Sequence, residues 1–308
     1  MHPEPAKAEW LGQAERGSVR LLRLMATLSL RMGRRPRRWA LVGIALYFFL
    51  FAPRARRHSR RYLRLALGRT PTALDRFRHL LYFASAIHDR IYLINGRHDL
   101  FDVSIEGDAI MRAQAATGRG AMLMGAHMGS FEVVGAVGCR NSGQQVLMAM
   151  YEDNARKINA TLAAVNPRFK QDIIPLGRID SMLRMSAELD ARSFIGVMGD
   201  RTLGGESVQA VTILGERAHL PTGPMRTAAI LGCSVIFMLG LYRGGNRYHV
   251  IFMPLADFAG LPASARAAAV HTAVERYAGL LDRYCRSDPY NWFNFFDFWR
   301  PGADGRRR

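Results

Sequence analysis

The stretch that most restricts what this chain can become runs from Gly118 to Cys139, GRGAMLMGAHMGSFEVVGAVGC. Ala121 to Ala126 is a short apolar run that reads as a fully buried strand, and Gly125, Gly129 and Ser130 punctuate its end. Phe131 to Val137 then carries helical spacing behind a serine able to cap a first turn. His127 and Glu132 fall on either side of that corner. In one continuous helix, residues five apart would point about 140° away from each other and never meet. On a strand-to-helix corner they can meet, with His127 on the loop and Glu132 reaching back from the first helical turn.

That geometry suits acid–base chemistry. A carboxylate accepting a hydrogen bond from Nδ1 fixes the imidazole tautomer and leaves Nε2 free to take a proton from an attacking hydroxyl. No serine or cysteine nucleophile is needed if the acceptor substrate brings the hydroxyl. The competing reading is a loop histidine held by a helix-capping glutamate, and residue spacing by itself does not separate the two.

Past this corner the chain alternates. Phe101–Gly107 has the apolar–polar alternation of a half-exposed strand, and further strands are expected at 121–126, 145–150, 172–176, 194–199, 235–241 and 248–254, separated mostly by helical stretches. The expected fold is α/β, a mostly parallel central sheet flanked by helices, with ligands at the carboxyl ends of the strands. Pro71 opens a long helical pattern over 72–95, with Thr70 or Thr72 as its cap.

Several other candidates sit where strands end. Asp200 and Arg201 follow the apolar run at 194–198, a place where substrate contacts collect, although a plain loop salt bridge fits equally well. Thr222 and Gly223 open a Pro/Gly turn ahead of a helix; its N–H groups suit a phosphate or an oxyanion, or it is only a capped turn. Arg156 and Arg178 also follow strands and are candidates to hold a phosphate group of a substrate through forked hydrogen bonds, in a chain where surface arginines are common. A metal-dependent hydrolase drawing on His127, Glu132, Asp200, His219 or His249 is the alternative of another class, but the spacing forms no recognised ligand cluster, and no metal or other cofactor is expected.

The N-terminal part has a different character. The formal net charge is +18, and from Arg16 to Leu74 there are 15 arginines with no lysine and no acid. Apolar runs interleave with this charge, which favours an anionic membrane surface over nucleic acid. Arg16–Arg34 reads as a basic amphipathic helix, and Arg57, Arg60, Arg61 and Arg64 continue a basic face. Trp39–Ala52 is 14 uncharged residues long, which at about 1.5 Å per residue is short of a bilayer core of about 30 Å. A monotopic anchor is therefore expected over a full span. The resulting division is 1–70, membrane-associating helices, and 71–308, a catalytic domain. Three widely spaced cysteines give no disulfide framework, which is consistent with a cytoplasmic setting. Near the end, Tyr290–Trp299 packs seven aromatics into ten residues, readable as the lining of an apolar groove, an interfacial belt or a buried final strand.

From about Val19 to Trp299 the chain resembles the lipid A biosynthesis acyltransferases, the lauroyl and myristoyl transferases of the lysophospholipid-acyltransferase-like superfamily. Those proteins carry His-x4-Glu or His-x4-Asp at this kind of corner, so the resemblance implies His127 as general base and Glu132 as its orienting partner. Asp200 resembles the start of the family's Asp-Gln-Asp motif, with Arg201 and Thr202 in place of its last two residues, and residues 215–224 are similar to its Pro-x-Gly block. The implied activity is transfer of a fatty acyl group from an acyl carrier protein or coenzyme A thioester to a hydroxyl of a lipid, with a lipid A precursor as acceptor. The implied setting is the cytoplasmic face of the inner membrane. The phenylalanine-rich tail is similar to that of acyltransferases associated with aryl-polyene lipids, so another glycolipid or an aryl-polyene lipid is the alternative acceptor.

Overall fold

The computed structural model describes residues 27, 29–31, 34–142, 145–166, 172–177, 179–202 and 206–299. The basic helix expected at Arg16–Arg34 lies largely outside these residues.

The helices that open the described chain are α1 (Arg34–Phe51), α2 (Pro53–Leu67) and α3 (Ala73–Leu93). Thr72 is the cap of α3: its hydroxyl accepts from the Asp75 amide at 3.1 Å, and the Asp75 carboxylate accepts from the Thr72 amide at 2.8 Å, a reciprocal capping box. α1 packs on α3, where Phe49 meets Phe77, and Ser29, ahead of α1, meets His88 further along α3. Packing on α3 buries Leu41 and Ala45 but leaves Trp39, Leu46, Tyr47, Leu50 and Phe51 exposed. Among the described residues no single helix is long and apolar enough to cross a membrane; Trp39–Phe51 and Pro53–Leu67 reach that mark only as a pair bent by 96°.

The rest alternates as expected: β1 (Asp102–Glu106), α4 (Asp108–Ala116), β2 (Met122–Gly125), α5 (Phe131–Ser142), β3 (Val146–Tyr151), α6 (Glu152–Val165), β4 (Ile173–Leu176), α7 (Ile179–Asp190), β5 (Phe194–Met198), β6 (Val208–Ile213), β7 (Glu216–Pro221), α8 (Gly223–Leu231), β8 (Ser234–Tyr242), β9 (Arg247–Asp257) and α9 (Ala263–Ser287). Seven strands form one sheet in the order β1-β9-β8-β2-β5-β3-β4. Every neighbouring pair is parallel except β8 with β9. β2 lies in the middle and all four of its residues are buried, which is why it reads as an unbroken apolar run rather than an alternating one.

Two features differ from the sequence-based expectation. β6 and β7 form an antiparallel hairpin of their own, so residues expected to make only a turn before a helix are half strand. Its two-residue turn, Leu214-Gly215, holds φ at 55° and 82°, the geometry that keeps two twisted strands paired. The aromatic tail is buried at Trp292, Phe293, Phe298 and Trp299, but as irregular chain; a single bridge, Met128 with Trp292, replaces the anticipated final strand.

Candidate active site

β2 and β5 are parallel neighbours with Gly125 in register with Met198. Two residues further along each strand come His127 and Asp200, so the strand pairing itself delivers them side by side at the carboxyl edge of the sheet. His127 Nδ1 lies 2.8 Å from Asp200 Oδ1, and the His127 amide donates to Oδ2 at 3.0 Å. The Trp292 indole N–H donates to the same Oδ2 at 2.9 Å. A carboxylate only accepts, so Nδ1 carries the proton and Nε2 keeps its lone pair. The Asp200 side chain is 1% exposed and that of His127 is 36% exposed. The carboxylate is thus sealed beneath an imidazole that still reaches solvent.

The loop carrying His127 is fixed from several sides. The Met128 amide folds back onto the Ala126 carbonyl at 2.6 Å, a three-residue turn centred on His127. The Phe293 amide donates to the His127 carbonyl at 2.9 Å, Gly129 donates to Asn291 at 3.0 Å, and Ser130 donates to Gly240 at 2.8 Å. Gly129 has φ +74° and a side chain there would collide with the Gly240 carbonyl. Glycine meets both the conformation and the close approach. From α9, the Tyr277 hydroxyl donates to the Gly125 carbonyl at 2.9 Å and anchors the end of β2.

The charges fit this geometry. Burial would raise the Asp200 carboxyl, yet His127, Arg201 and the Trp292 N–H together hold it well below the usual carboxylate range. His127 is lowered as well: burial first, then the positive charge of Arg201, lower it against the upward pull of Asp200, and Arg90 lowers it further. The ring is accordingly neutral near pH 7, the state a proton acceptor needs.

Glu132 takes a different place from the one expected. Its Oε1 forms an ion pair with Arg90 Nε at 2.5 Å, and its Oε2 accepts from the Ser130 hydroxyl at 2.9 Å. The hydrogen bond that spacing assigned to Glu132 is made by Asp200, 73 residues downstream of the histidine. The physical reason is that Ser130, in the turn ahead of α5, and Arg90, from α3, hold the glutamate, while the strand register puts Asp200 directly beside Nδ1. Arg201 packs behind the pair, donating to the Phe293 carbonyl at 3.1 Å and lying 5.2 Å from the centre of the Phe296 ring. His127, Asp200 and Arg201 thus gather in one cluster, and Glu132 is joined to Arg90, whose charge acts on His127. Thr222 and Gly223 sit at the start of α8, where the Thr222 hydroxyl and amide both donate to the Ser207 carbonyl instead of capping the helix. Arg156 lies within α6, and Arg178 lies outside the described residues.

Sequence reasoning missed Arg90, Trp292 and Tyr277. Trp292 carried a usable signal, since a buried indole needs an acceptor for its N–H. Among the described residues no three His, Cys, Asp or Glu side chains gather as a metal site. Cys233 and Cys285 are buried and unpaired.

A mostly parallel sheet with a carboxylate-held histidine at its carboxyl edge defines an α/β enzyme scaffold equipped for proton abstraction. The chain belongs to the bacterial lipid A biosynthesis acyltransferases, whose family model matches residues 21–300. It is therefore an acyltransferase. Comparison with curated proteins returns no match.

Proposed function

We propose that this acyltransferase moves a fatty acyl chain from an acyl carrier protein or coenzyme A thioester to a hydroxyl of a lipid A precursor, with His127 as general base. The observation that carries this reading is the 2.8 Å contact between His127 Nδ1 and Asp200, which leaves Nε2 as the ring's proton acceptor. Nε2 takes the proton of the acceptor hydroxyl as its oxygen attacks the thioester carbonyl. The tetrahedral oxyanion forms in the positive field of Arg90 and Arg201. As the intermediate collapses the C–S bond breaks, and the proton held on His127 passes to the departing sulfur. A thiol is acidic enough to leave with little help, so no metal or cofactor is called for. Asp200 steadies the imidazole, and Glu132 acts through its ion pair with Arg90.

The same reading has the enzyme on the cytoplasmic face of the inner membrane, with a lipid surface as partner and no nucleic acid. Its support is the exposed apolar side of α1 beside α2, where Arg54, Arg57, Arg60 and Arg64 are all exposed. No acid lies within Pro53–Leu67 to neutralise them.

The test pairs two measurements. Lipid mass spectrometry of a deletion strain should show lipid A missing one acyl chain, restored by wild-type protein and not by His127→Ala. Unchanged lipid A with a different acylated lipid lost would replace the acceptor, and full complementation by His127→Ala would end the general-base assignment.

A further inference from the structure

The last ten described residues run across the site, not away from it. Asn291 clamps the end of β8, with its side chain accepting from the Tyr242 amide at 2.8 Å and donating to the Tyr242 carbonyl at 3.1 Å. The next residue, Trp292, points its indole N–H at Asp200 Oδ2 and offers its carbonyl to His79 Nε2 at 2.9 Å. Its ring is 1% exposed, packed edge-on against Tyr62, Phe298 and Trp299. The indole has little room to turn away from the carboxylate.

We infer that Trp292 is a positioning residue for the acyl transfer, its indole N–H fixing Asp200 and so setting how readily His127 takes a proton. The inference rests on the general-base reading of His127. Asp200 accepts three N–H groups on two oxygens, two from His127 and one from Trp292. Of these three only the indole is independent of the histidine, and together with the charge of Arg201 it draws charge density away from the imidazole. Without the indole the carboxylate binds Nδ1–H more strongly but is itself held less firmly, so the ring becomes more basic and less well oriented. The charged and titratable groups facing the pair stay as they are: Arg90 from α3, Glu132 from α5, Arg201 beyond β5, and Tyr277 and Cys285 from α9.

The test uses the full-length protein in detergent with Trp292 replaced by β-(3-benzothienyl)alanine, in which sulfur stands where the indole has N–H and the shape is kept. A Trp292→Phe variant runs beside it. His127 is titrated by NMR with ring-labelled histidine, its signal assigned by loss in His127→Ala. The expected result is an upward movement of the His127 titration in both variants. Turnover with a lauroyl-loaded acyl carrier protein and a lipid A precursor should fall roughly tenfold at unchanged KM, the size usual for losing a hydrogen bond to a charged group. A structural role would lower the active fraction and leave the titration in place, so an unmoved His127 titration in the benzothienyl protein overturns the inference. If His127→Ala itself keeps wild-type turnover, the general-base reading fails and takes this inference with it. An inactive His127→Ala beside an unmoved titration rejects the role of Trp292 only.

Discussion

Arg90 and Glu132 meet at 2.5 Å, tying α3, the last helix of the N-terminal set, to the first turn of the helix behind His127. The two side chains are 30% and 18% exposed, so the pair is only partly screened by water. Behind burial and Arg201, Arg90 is one of the influences that keep His127 neutral. The partners of Glu132 are thus Arg90 and the Ser130 hydroxyl, and the proposed role for it is to hold that cation in place.

A double-mutant cycle checks this. Glu132→Ala and Arg90→Ala should each lower kcat/KM, because each leaves its partner half buried and unpaired. The double variant should lose less than the two single losses combined, with a coupling of about 1–2 kcal/mol. Strictly additive losses would show that the two residues act separately.

Asp200→Asn should be the more damaging change to chemistry. Asparagine can keep its oxygen under the His127 amide and the Trp292 N–H, which puts its NH₂ against Nδ1. That amide donates, so the imidazole must move its proton to Nε2 and loses its acceptor there. Turnover should fall by roughly three orders of magnitude or more, as when a triad histidine is forced into the wrong tautomer. Thermal unfolding measured on the same sample should change little. Activity within tenfold of wild type would reject Asp200 as the residue that fixes the tautomer.

The site was legible in the sequence only as far as local rules reach. Gly125, Gly129 and Ser130 mark the corner after a buried strand, and the structure has that strand, loop and helix where the residues put them. Asp200 was visible as a strand-end acid. Its union with His127 was not visible, because that depends on β5 rather than β3 lying beside β2, a matter of strand order fixed by long-range packing. Trp292 is further still, tied to Asp200 across 92 residues. The β6–β7 hairpin was missed for a local reason. Val208–Ile213 alternates cleanly between exposed and buried, but its turn uses Leu214 at positive φ where asparagine or aspartate would have announced it.

His79 gives the fold an acid-sensitive joint. Its Nε2–H donates to the Trp292 carbonyl, so Nδ1 is the acceptor for the Ser59 hydroxyl at 2.9 Å, and the ring is neutral between α2, α3 and the C-terminal segment. Burial lowers its pKa from 6.5 to about 4, against a small upward pull from the Trp292 carbonyl. The folded-state value lies below the unfolded one, so the stability is fully present above about pH 6.5 and drains away as pH falls towards 4. The loss attributable to this one residue should be about 3 kcal/mol over that window. Urea unfolding at pH 7 and pH 4 should show a steeper decline for wild type than for His79→Gln. Equal slopes would mean that carboxylates alone govern the acid response.

The arrangement of α1 and α2 predicts how the protein meets a membrane. On the proposed membrane reading, the 96° bend between them would let an apolar α1 enter the interface while α2 lies along it, its exposed arginines among lipid phosphates. Each such arginine contributes about 1 kcal/mol at an anionic surface, so Arg57→Ala with Arg60→Ala should weaken binding to phosphatidylglycerol-rich vesicles by roughly thirtyfold. High salt should weaken the wild type in the same direction, since the attraction decays within a Debye length. Trp39 is 80% exposed at the N-terminal part of α1, and its fluorescence should shift to the blue on vesicles as the indole leaves water. The other three tryptophans, Trp10, Trp292 and Trp299, are changed to phenylalanine to isolate that signal, or Trp39→Phe is used as the blank if that protein does not fold. Equal affinity for zwitterionic and anionic vesicles would remove the arginine helix from the contact, and an unshifted Trp39 signal would remove α1.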